Sequence, residues 1–391
     1  MQKALRPCIF MLLLLVAIPC LSQSWVDTLD TYARQSYLPP SKYMWLWTDA
    51  ALLNTMTKEY DLSVSSQKQI YLNYIEKAMN TSSVVANGHT PNDVASGLGL
   101  AFLYRVTKNE KYKRKADKIY ADYQKIRRTK KGGVSHIALF TELWDDTIFM
   151  IGEFLLEMYK ATGDRKYLDE LVKQIRLHRE KLLDKDWGLW YHGWDGDYKN
   201  HVTMFSQRYW PDKNTGRSAE MWGRGNGWIV VTLSDALEAL PKSDPYWNEL
   251  AGYLKEMVKH LPELQDKKTG HWCQLPVRNL DPDNFIESSC TAMFGYGIST
   301  ALRLGIVTDT SFSNSVTLAY RGLREHSIVP VGKKYLTTSN VCTATCIGNK
   351  DYYFKRKVQK GKPYAIGMFI QFGLRYEMDN GLRQLAPLTN K

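Results

Sequence analysis

The stretch "LYRVTKNEKYKRKADKIY", residues 103–120, returns in altered form as "MYKATGDRKYLDELVKQI", residues 158–175. Tyr104, Thr107, Lys111 and Tyr112 match Tyr159, Thr162, Lys166 and Tyr167, each 55 residues later. Both copies read as the end of one helix, a tight turn and the start of an amphipathic helix. That unit is an αα-hairpin, and repeated hairpins form a solenoid or close into a helical toroid.

Outward from this pair, helical periodicity marks segments that couple as 26–36 with 44–58, 66–79 with 93–107, and 110–126 with 143–161. It continues as 165–182 with 219–239, 246–261 with 287–304, and 313–325 with 362–378. The second member of each pair is the more apolar and richer in small residues, as in "DVASGLGLAFLY" and "SSCTAMFGYGISTAL". A helix apolar on all sides is buried. Six buried helices inside six amphipathic ones predict an all-α fold, an (α/α)6 barrel, as a single domain over residues 25–391. Long connections at 127–142, 183–218 and 263–286 precede inner helices, and loops of that length are usually functional.

Residues 1–24, "MQKALRPCIFMLLLLVAIPCLSQS", have the form of a secretory signal peptide. Lys3 and Arg6 precede an apolar run from Ile9 to Ile18, which is too short to be a spanning helix. The expectation is export, periplasmic or secreted, without membrane insertion. Lipidation at Cys20 is disfavoured by Pro19 before it. Without the leader the formal charge falls from +12 to +10. A basic balance favours acidic partners. The lysines are scattered and form no basic arm, so nucleic acid is not expected. Twelve Trp and 24 Tyr suit a large aromatic core or sugar stacking. Together these features point to an acidic oligosaccharide. Of the four mature cysteines, Cys273, Cys290, Cys342 and Cys346, the last two either pair across a loop or are small buried residues. No His/Cys cluster has metal-ligand spacing, so neither a zinc site nor a cofactor is expected.

If each inner helix is followed by an outer helix running back, the inner helices are parallel and their N-termini share one rim. Trp47, Asp49, Asp93, Trp144, Asp145, Asp146, Trp222, Arg224, Trp228, Glu287, Pro363 and Tyr364 fall there. Asp93 lies 11 residues before Tyr104 and Asp146 lies 13 before Tyr159, so the repeat sets two acids at nearly the same height. Either acid could simply cap its helix. In Asp145–Asp146, however, only one can cap, and Trp144 beside them would exclude water and raise a carboxyl pKa, as a general acid needs. In "WGRGNGW", residues 222–228, glycines at 223, 225 and 227 would let backbone approach a ligand. Arg224 offers a bidentate fork for a carboxylate, and Trp222 and Trp228 would wall a sugar ring. The plainer alternative is a glycine-rich turn with core tryptophans.

"LWDDTIFM", "LWYHGWDGD", "WGRGNGW" and "ESSCTAMFGYGIS" together resemble glycoside hydrolase family 105, the unsaturated rhamnogalacturonyl hydrolases, and the related family 88, the unsaturated glucuronyl hydrolases. The resemblance runs from about Trp45 to Phe372. It implies that Asp146 is the catalytic acid, with Asp93 as second aspartate. It implies binding roles for His136, His192, Trp222, Arg224 and Trp228, and Trp144, beside the acids, is a further candidate for substrate binding. One departure is Ile137, which follows His136 where members often carry Lys. The implied substrates are oligosaccharides ending in a 4,5-unsaturated uronic acid. Asp146 would protonate C4 of the C4=C5 enol ether and then help water add at C5, and the resulting hemiketal would open and expel the neighbouring sugar. Two other classes stay in view. One is a sugar epimerase or isomerase using His136 and His192 as a proton shuttle. The other is a non-catalytic binder of acidic glycan.

Overall fold

The computed structural model describes residues 24–81, 89–197, 207 and 210–383; the leader expected over residues 1–24 lies outside them, apart from Ser24. The chain alternates outer and inner helices. Outer α1 (Trp25–Tyr32) precedes inner α2 (Trp47–Leu62); outer α3 (Ser65–Thr81) precedes the short α4 (Pro91–Ala95) and inner α5 (Gly97–Thr107). Then follow α6 (Glu110–Tyr123) and α7 (Thr147–Thr162), and α8 (Arg165–Leu182) and α9 (Gly223–Ala239). The circuit ends with α10 (Trp247–Val258), the one-turn α11 (Leu261–Leu264), inner α12 (Ser288–Arg303), outer α13 (Thr310–Gly322), the short α14 (Lys350–Phe354) and inner α15 (Pro363–Asp379).

The inner helices pack in sequence, α2 on α5, α5 on α7, α7 on α9, α9 on α12 and α12 on α15, and α15 returns to α2. The ring therefore closes, and the fold is the (α/α)6 barrel. Inner helices are buried on every side: every residue of α9 from Gly223 to Leu237 is buried. Outer helices bury one stripe. In α6 it is Tyr112, Ala116, Ile119 and Tyr123, at helical spacing along a lysine-rich surface. Each fully buried large apolar side chain contributes roughly 1.5–3 kcal/mol.

The repeat is stereochemical as well as compositional. Lys108 and Gly163 occupy equivalent left-handed positions (φ 53° and 74°) and donate to Tyr104 and Tyr159 carbonyls at 2.9 and 2.8 Å. Asn109 and Asp164 then cap the outgoing helices by accepting from the N–H of Lys111 and Lys166. Thr107 and Thr162 each donate back to the carbonyl four residues earlier.

The segment expected as one helix over 93–107 divides at Ser96, whose hydroxyl hydrogen-bonds Tyr43 at 2.7 Å. The long connections also carry strands that helical periodicity does not register. β1 (Glu142–Trp144) pairs antiparallel with β2 (Gly193–Asp195), and β3 (Trp272–Cys273) with β4 (Ile286–Glu287). β5 (Ile328–Val331) pairs with β6 (Tyr335–Thr338), and β7 (Val341–Cys342) with β8 (Val358–Gln359). β1 and β4 lead directly into α7 and α12 at the rim of the barrel.

Candidate active site

A cavity of about 760 Å³ opens at this rim. Its walls include Trp47, Asp93, His136, Trp144, Asp146, Trp222 and Arg224, with Ile137–Phe140 and Ala344–Cys346. Most of the residues singled out in the sequence thus meet in one place, drawn from four inner-helix starts and the loops between them.

Asp146 sits at the N-cap position of α7, yet its side chain makes no capping bond. Its Oδ2 instead accepts from His192 Nε2 at 3.1 Å. The other ring nitrogen of His192, Nδ1, takes the hydroxyl of Tyr353 at 2.7 Å. His192 is fully buried, stacked on Trp222 at 4.5 Å, with Trp144 edge-on at 5.5 Å. It stands behind Asp146 and orients it.

Asp145 is fully buried beside Asp146. Burial, and then the neighbouring Asp146 charge, push its carboxyl well above the usual range. Burial acts on Asp146 in the same direction, but the hydrogen bond from His192, first among the opposing influences, outweighs it and holds Asp146 low. Of the two carboxyls beside Trp144 it is therefore Asp145 that is pushed up, because His192 reaches Asp146.

Asp93 follows the capping alternative. Its Oδ2 accepts both the N–H and the hydroxyl of Thr90, each at 3.0 Å, in a capping box at the start of α4. It still lines the cavity, held in one orientation. His136 lines the cavity as well, stacked flat on Trp144 at 4.7 Å with Nδ1 against Thr147 Oγ1 at 3.0 Å. Burial is the main cause that pulls its pKa down to about 4, so it is neutral at ordinary pH.

Arg224 does not hold the free fork that the sequence suggests. Its guanidinium donates to the carbonyls of Cys342 at 2.9 Å and Thr343 at 2.8 Å, and it lies between the rings of Trp222 and Tyr364 at 4.5 and 4.8 Å. Glu287 faces it at 3.6 Å and also accepts from the Cys342 N–H at 3.0 Å. Arg224 is therefore an anchor for the wall at 342–346. Trp228 is fully buried on Phe149 at 4.3 Å and is not among the cavity walls. Trp47 is a half-buried aromatic wall of the cavity, stacked on Tyr364 at 5.2 Å.

The glycines of 222–228 admit protein rather than ligand. A Cβ on Gly225 would lie 2.1 Å from Asp145 Oδ2, and one on Gly227 would lie 2.5 Å from Met293 Sδ. Asn226, between them, exchanges two bonds with the backbone of Trp190, at 2.7 and 2.8 Å. It ties "WGRGNGW" to "LWYHGWDGD" and so fixes His192. Asn226 and Tyr353 escape a reading by motif, because each works on a segment remote in sequence. Cys342 and Cys346 are both free thiols: Cys342 Sγ faces Gln274 at 3.1 Å and Thr345 at 3.2 Å, whereas Cys346 lines the cavity.

Asp145, Asp146 and His192 place ligand-type atoms within 4.8 Å of one another, the one such group among the described residues. Spacing along the chain could not reveal it, because His192 arrives from another loop. Both imidazole nitrogens are engaged, Nε2 by Asp146 and Nδ1 by Tyr353.

The family model described as Glycosyl Hydrolase Family 88 matches residues 20–379. The chain is 27% identical over 271 residues to the Unsaturated rhamnogalacturonyl hydrolase YesR of Bacillus subtilis (strain 168), which covers 66% of this chain and 70% of that protein. It is 29% identical over 168 residues to an Unsaturated 3S-rhamnoglycuronyl hydrolase of Alteromonas sp. (strain LOR), covering 42% of this chain and 37% of that one. Among solved structures, a glycoside hydrolase from family 105 of C. acetobutylicum ATCC 824 shares the fold, with a TM-score of 0.79 at 24% identity over 91% of this chain and 100% of the other. A possible member of the GH105 family from Salmonella enterica subsp. enterica serovar Paratyphi A has a TM-score of 0.71 at 26% identity, over 86% of this chain and 84% of the other.

Proposed function

The chain belongs to glycosyl hydrolase family 88, and from that premise we propose that it releases a terminal 4,5-unsaturated uronic acid from lyase-generated oligosaccharides, those of rhamnogalacturonan first among them. The relative from Bacillus subtilis, an unsaturated rhamnogalacturonyl hydrolase by name, supports that choice of substrate.

The observation that carries the reading is the position of Asp146. Among the cavity walls the carboxylates are Asp93 and Asp146, and Asp93 is engaged by Thr90. Displacement at the anomeric carbon asks for two working carboxylates flanking the bond. Hydration of an enol ether asks for one group that gives a proton to C4 and takes one back from the water that adds at C5. Asp146, oriented by His192 and Tyr353, suits that cycle. Asp93 is placed to hold a ring hydroxyl or the water, and Trp47 offers a face for the sugar.

An epimerase would need both histidines on the substrate, whereas His192 is fully buried behind Asp146. A glycan binder would have no use for a carboxylate oriented by a buried histidine in the wall of its cavity. Residues 1–24 support export of the enzyme, which cleavage of the leader in secreted material would test.

The test of function is a panel of lyase-generated unsaturated disaccharides, followed by the absorbance of the enol ether. The expected result is loss of that absorbance with release of the neighbouring sugar, fastest on a rhamnogalacturonan-derived substrate. Full retention of the chromophore across the panel would exclude the reading.

A further inference from the structure

Asp145 has no task in the mechanism so far. It is fully buried, and its carboxyl is met only by the backbone N–H groups of Asp145 and Asp146, outside good hydrogen-bond geometry, and by the carboxyl of Asp146. Its backbone is pinned by donation to the His192 carbonyl at 3.0 Å. Space for the carboxyl depends on Gly225, since a Cβ there would sit 2.1 Å from Asp145 Oδ2. The fold thus reserves a pocket for a carboxyl and brings it no side-chain partner but Asp146. A fully buried carboxylate with a second carboxylate beside it is unstable, and the ordinary remedy is a bound proton.

The groups around it fix where that proton goes. Asp145 Oδ1 lies 3.8 Å from His192 Nε2, too far for a hydrogen bond, while Asp146 Oδ2 takes that N–H at 3.1 Å. His136 from the loop before β1, Arg224 from α9, Tyr353 from α14 and Cys346 from the 343–349 segment also face the pair. Arg224 has its fork on Cys342 and Thr343, and Tyr353 donates to His192. The neighbour left to Asp145 is the carboxyl of Asp146.

We propose that Asp145 is a positioning residue for the catalytic proton: it shares a single proton with Asp146, so that the pair, and not Asp146 alone, is the acid of the reaction. The chemical part rests on the uronyl hydrolase reading; the shared proton does not. In the free enzyme the proton rests on Asp145, and in the reactive form it is on Asp146. Its transfer to C4 breaks the C4=C5 π bond, forms the C4–H bond and leaves positive charge on C5 and the ring oxygen. The pair then carries two negative charges beneath that cation, which stabilises it. Water adds to C5, its proton returns to the pair, and the cycle balances. A lone Asp146, bonded to His192, would be ionised at neutral pH and hold no proton to give.

The proposal has a pH signature. The pair keeps its last proton above the ordinary carboxylate range, so activity is present below that point and lost as pH rises through it. Asp145→Asn keeps the shape of the side chain and leaves Asp146 to titrate alone. The expected result is an alkaline limb of kcat/KM moved down by about one pH unit or more, with turnover recovered in acid. A role in packing alone would lower the rate at all pH values and leave the profile in place, and that result would overturn the proposal. A second measurement needs no substrate. In protein labelled with 13C at the aspartate carboxyls, wild type should show a protonated aspartate at neutral pH, and Asp145→Asn should lack it. Should that variant fail to fold, titration of the wild-type signals decides alone: two coupled aspartates support the proposal, and independent titrations of ordinary carboxylates contradict it. If no unsaturated disaccharide is consumed, the reaction is wrong, while the carboxyl signals still judge the pair.

Discussion

At the start of α4, Asp93 turns back on its own helix, and its Oδ2 takes both the N–H and the hydroxyl of Thr90. At the start of α7, Asp146 makes no capping bond, and its carboxyl is held from outside the helix by His192. The two aspartates open equivalent inner helices of one repeat. What separates them is their place on the helix and what reaches them. Asp93 is the N3 residue of α4 and closes a box with the N-cap Thr90, whereas Asp146 is itself the N-cap of α7 and its carboxyl is drawn off the helix by His192. An acid held from outside its own helix is available for other work, and here that work is in the cavity wall.

The strongest test of the difference is to remove each charge while keeping its shape. Asp146→Asn should lower kcat by about 10²–10⁴, the usual contribution of a general acid–base group, with substrate still bound in equilibrium measurements. Asp93→Asn retains an oxygen for Thr90, so thermal unfolding should be little changed. Loss of one charged hydrogen bond to the sugar is worth about 1.5–3 kcal/mol, or roughly 10- to 150-fold in kcat/KM. If Asp93→Asn proved the more damaging, the roles assigned to the two acids would have to be exchanged.

Arg224 extends the comparison, since like Asp93 it is committed to the protein. Arg224→Met should weaken an unsaturated uronate and its carboxylate-reduced, neutral analogue by similar factors in calorimetry, because the wall at 342–346 moves for both. A selective loss of the anionic ligand would show that the guanidinium meets the carboxylate directly. The smallest expected effect concerns the turns that the two copies share. Gly163 has φ 74° with nothing within 4 Å of a Cβ built on it. Gly163→Ala should therefore cost only backbone strain, about 1–2 kcal/mol, read as a lowered Tm. Lys108 already bears that strain at the matching position, with φ 53°.

The barrel was legible because periodicity is local. Alternation of lysine-rich amphipathic helices with wholly apolar ones, together with the Tyr-Thr-Lys-Tyr repeat, is enough to order six hairpins, and four short motifs point to the family. The rim was legible for the same reason, since helix starts can be counted. Roles within the rim were not, because they depend on partners from distant segments. Arg224 looks free until the Cys342–Thr343 carbonyls are placed, 118 and 119 residues away. Asp146 looks like an acid raised by Trp144 until His192, 46 residues on, is brought against it. The glycines at 225 and 227 read as ligand-facing until Asp145 and Met293 are seen to fill the space above them. The strands β1 to β8 are two to four residues each, too short to leave a period.

The central claim is that Asp146 acts on the C4=C5 bond and not on the glycosidic linkage. The direct measurement is the decay of enol-ether absorbance on an unsaturated uronyl disaccharide in which sulfur replaces the glycosidic oxygen. Sulfur takes up a proton poorly, so acid-assisted cleavage at the anomeric carbon should stall, whereas hydration at C4 and C5 leaves that linkage out of the first step. The account predicts that wild-type enzyme consumes the chromophore of the sulfur-linked compound at a rate comparable with the oxygen-linked one, and that Asp146→Asn consumes neither. An enzyme that cleaves the oxygen-linked disaccharide but leaves the sulfur-linked chromophore intact would contradict it.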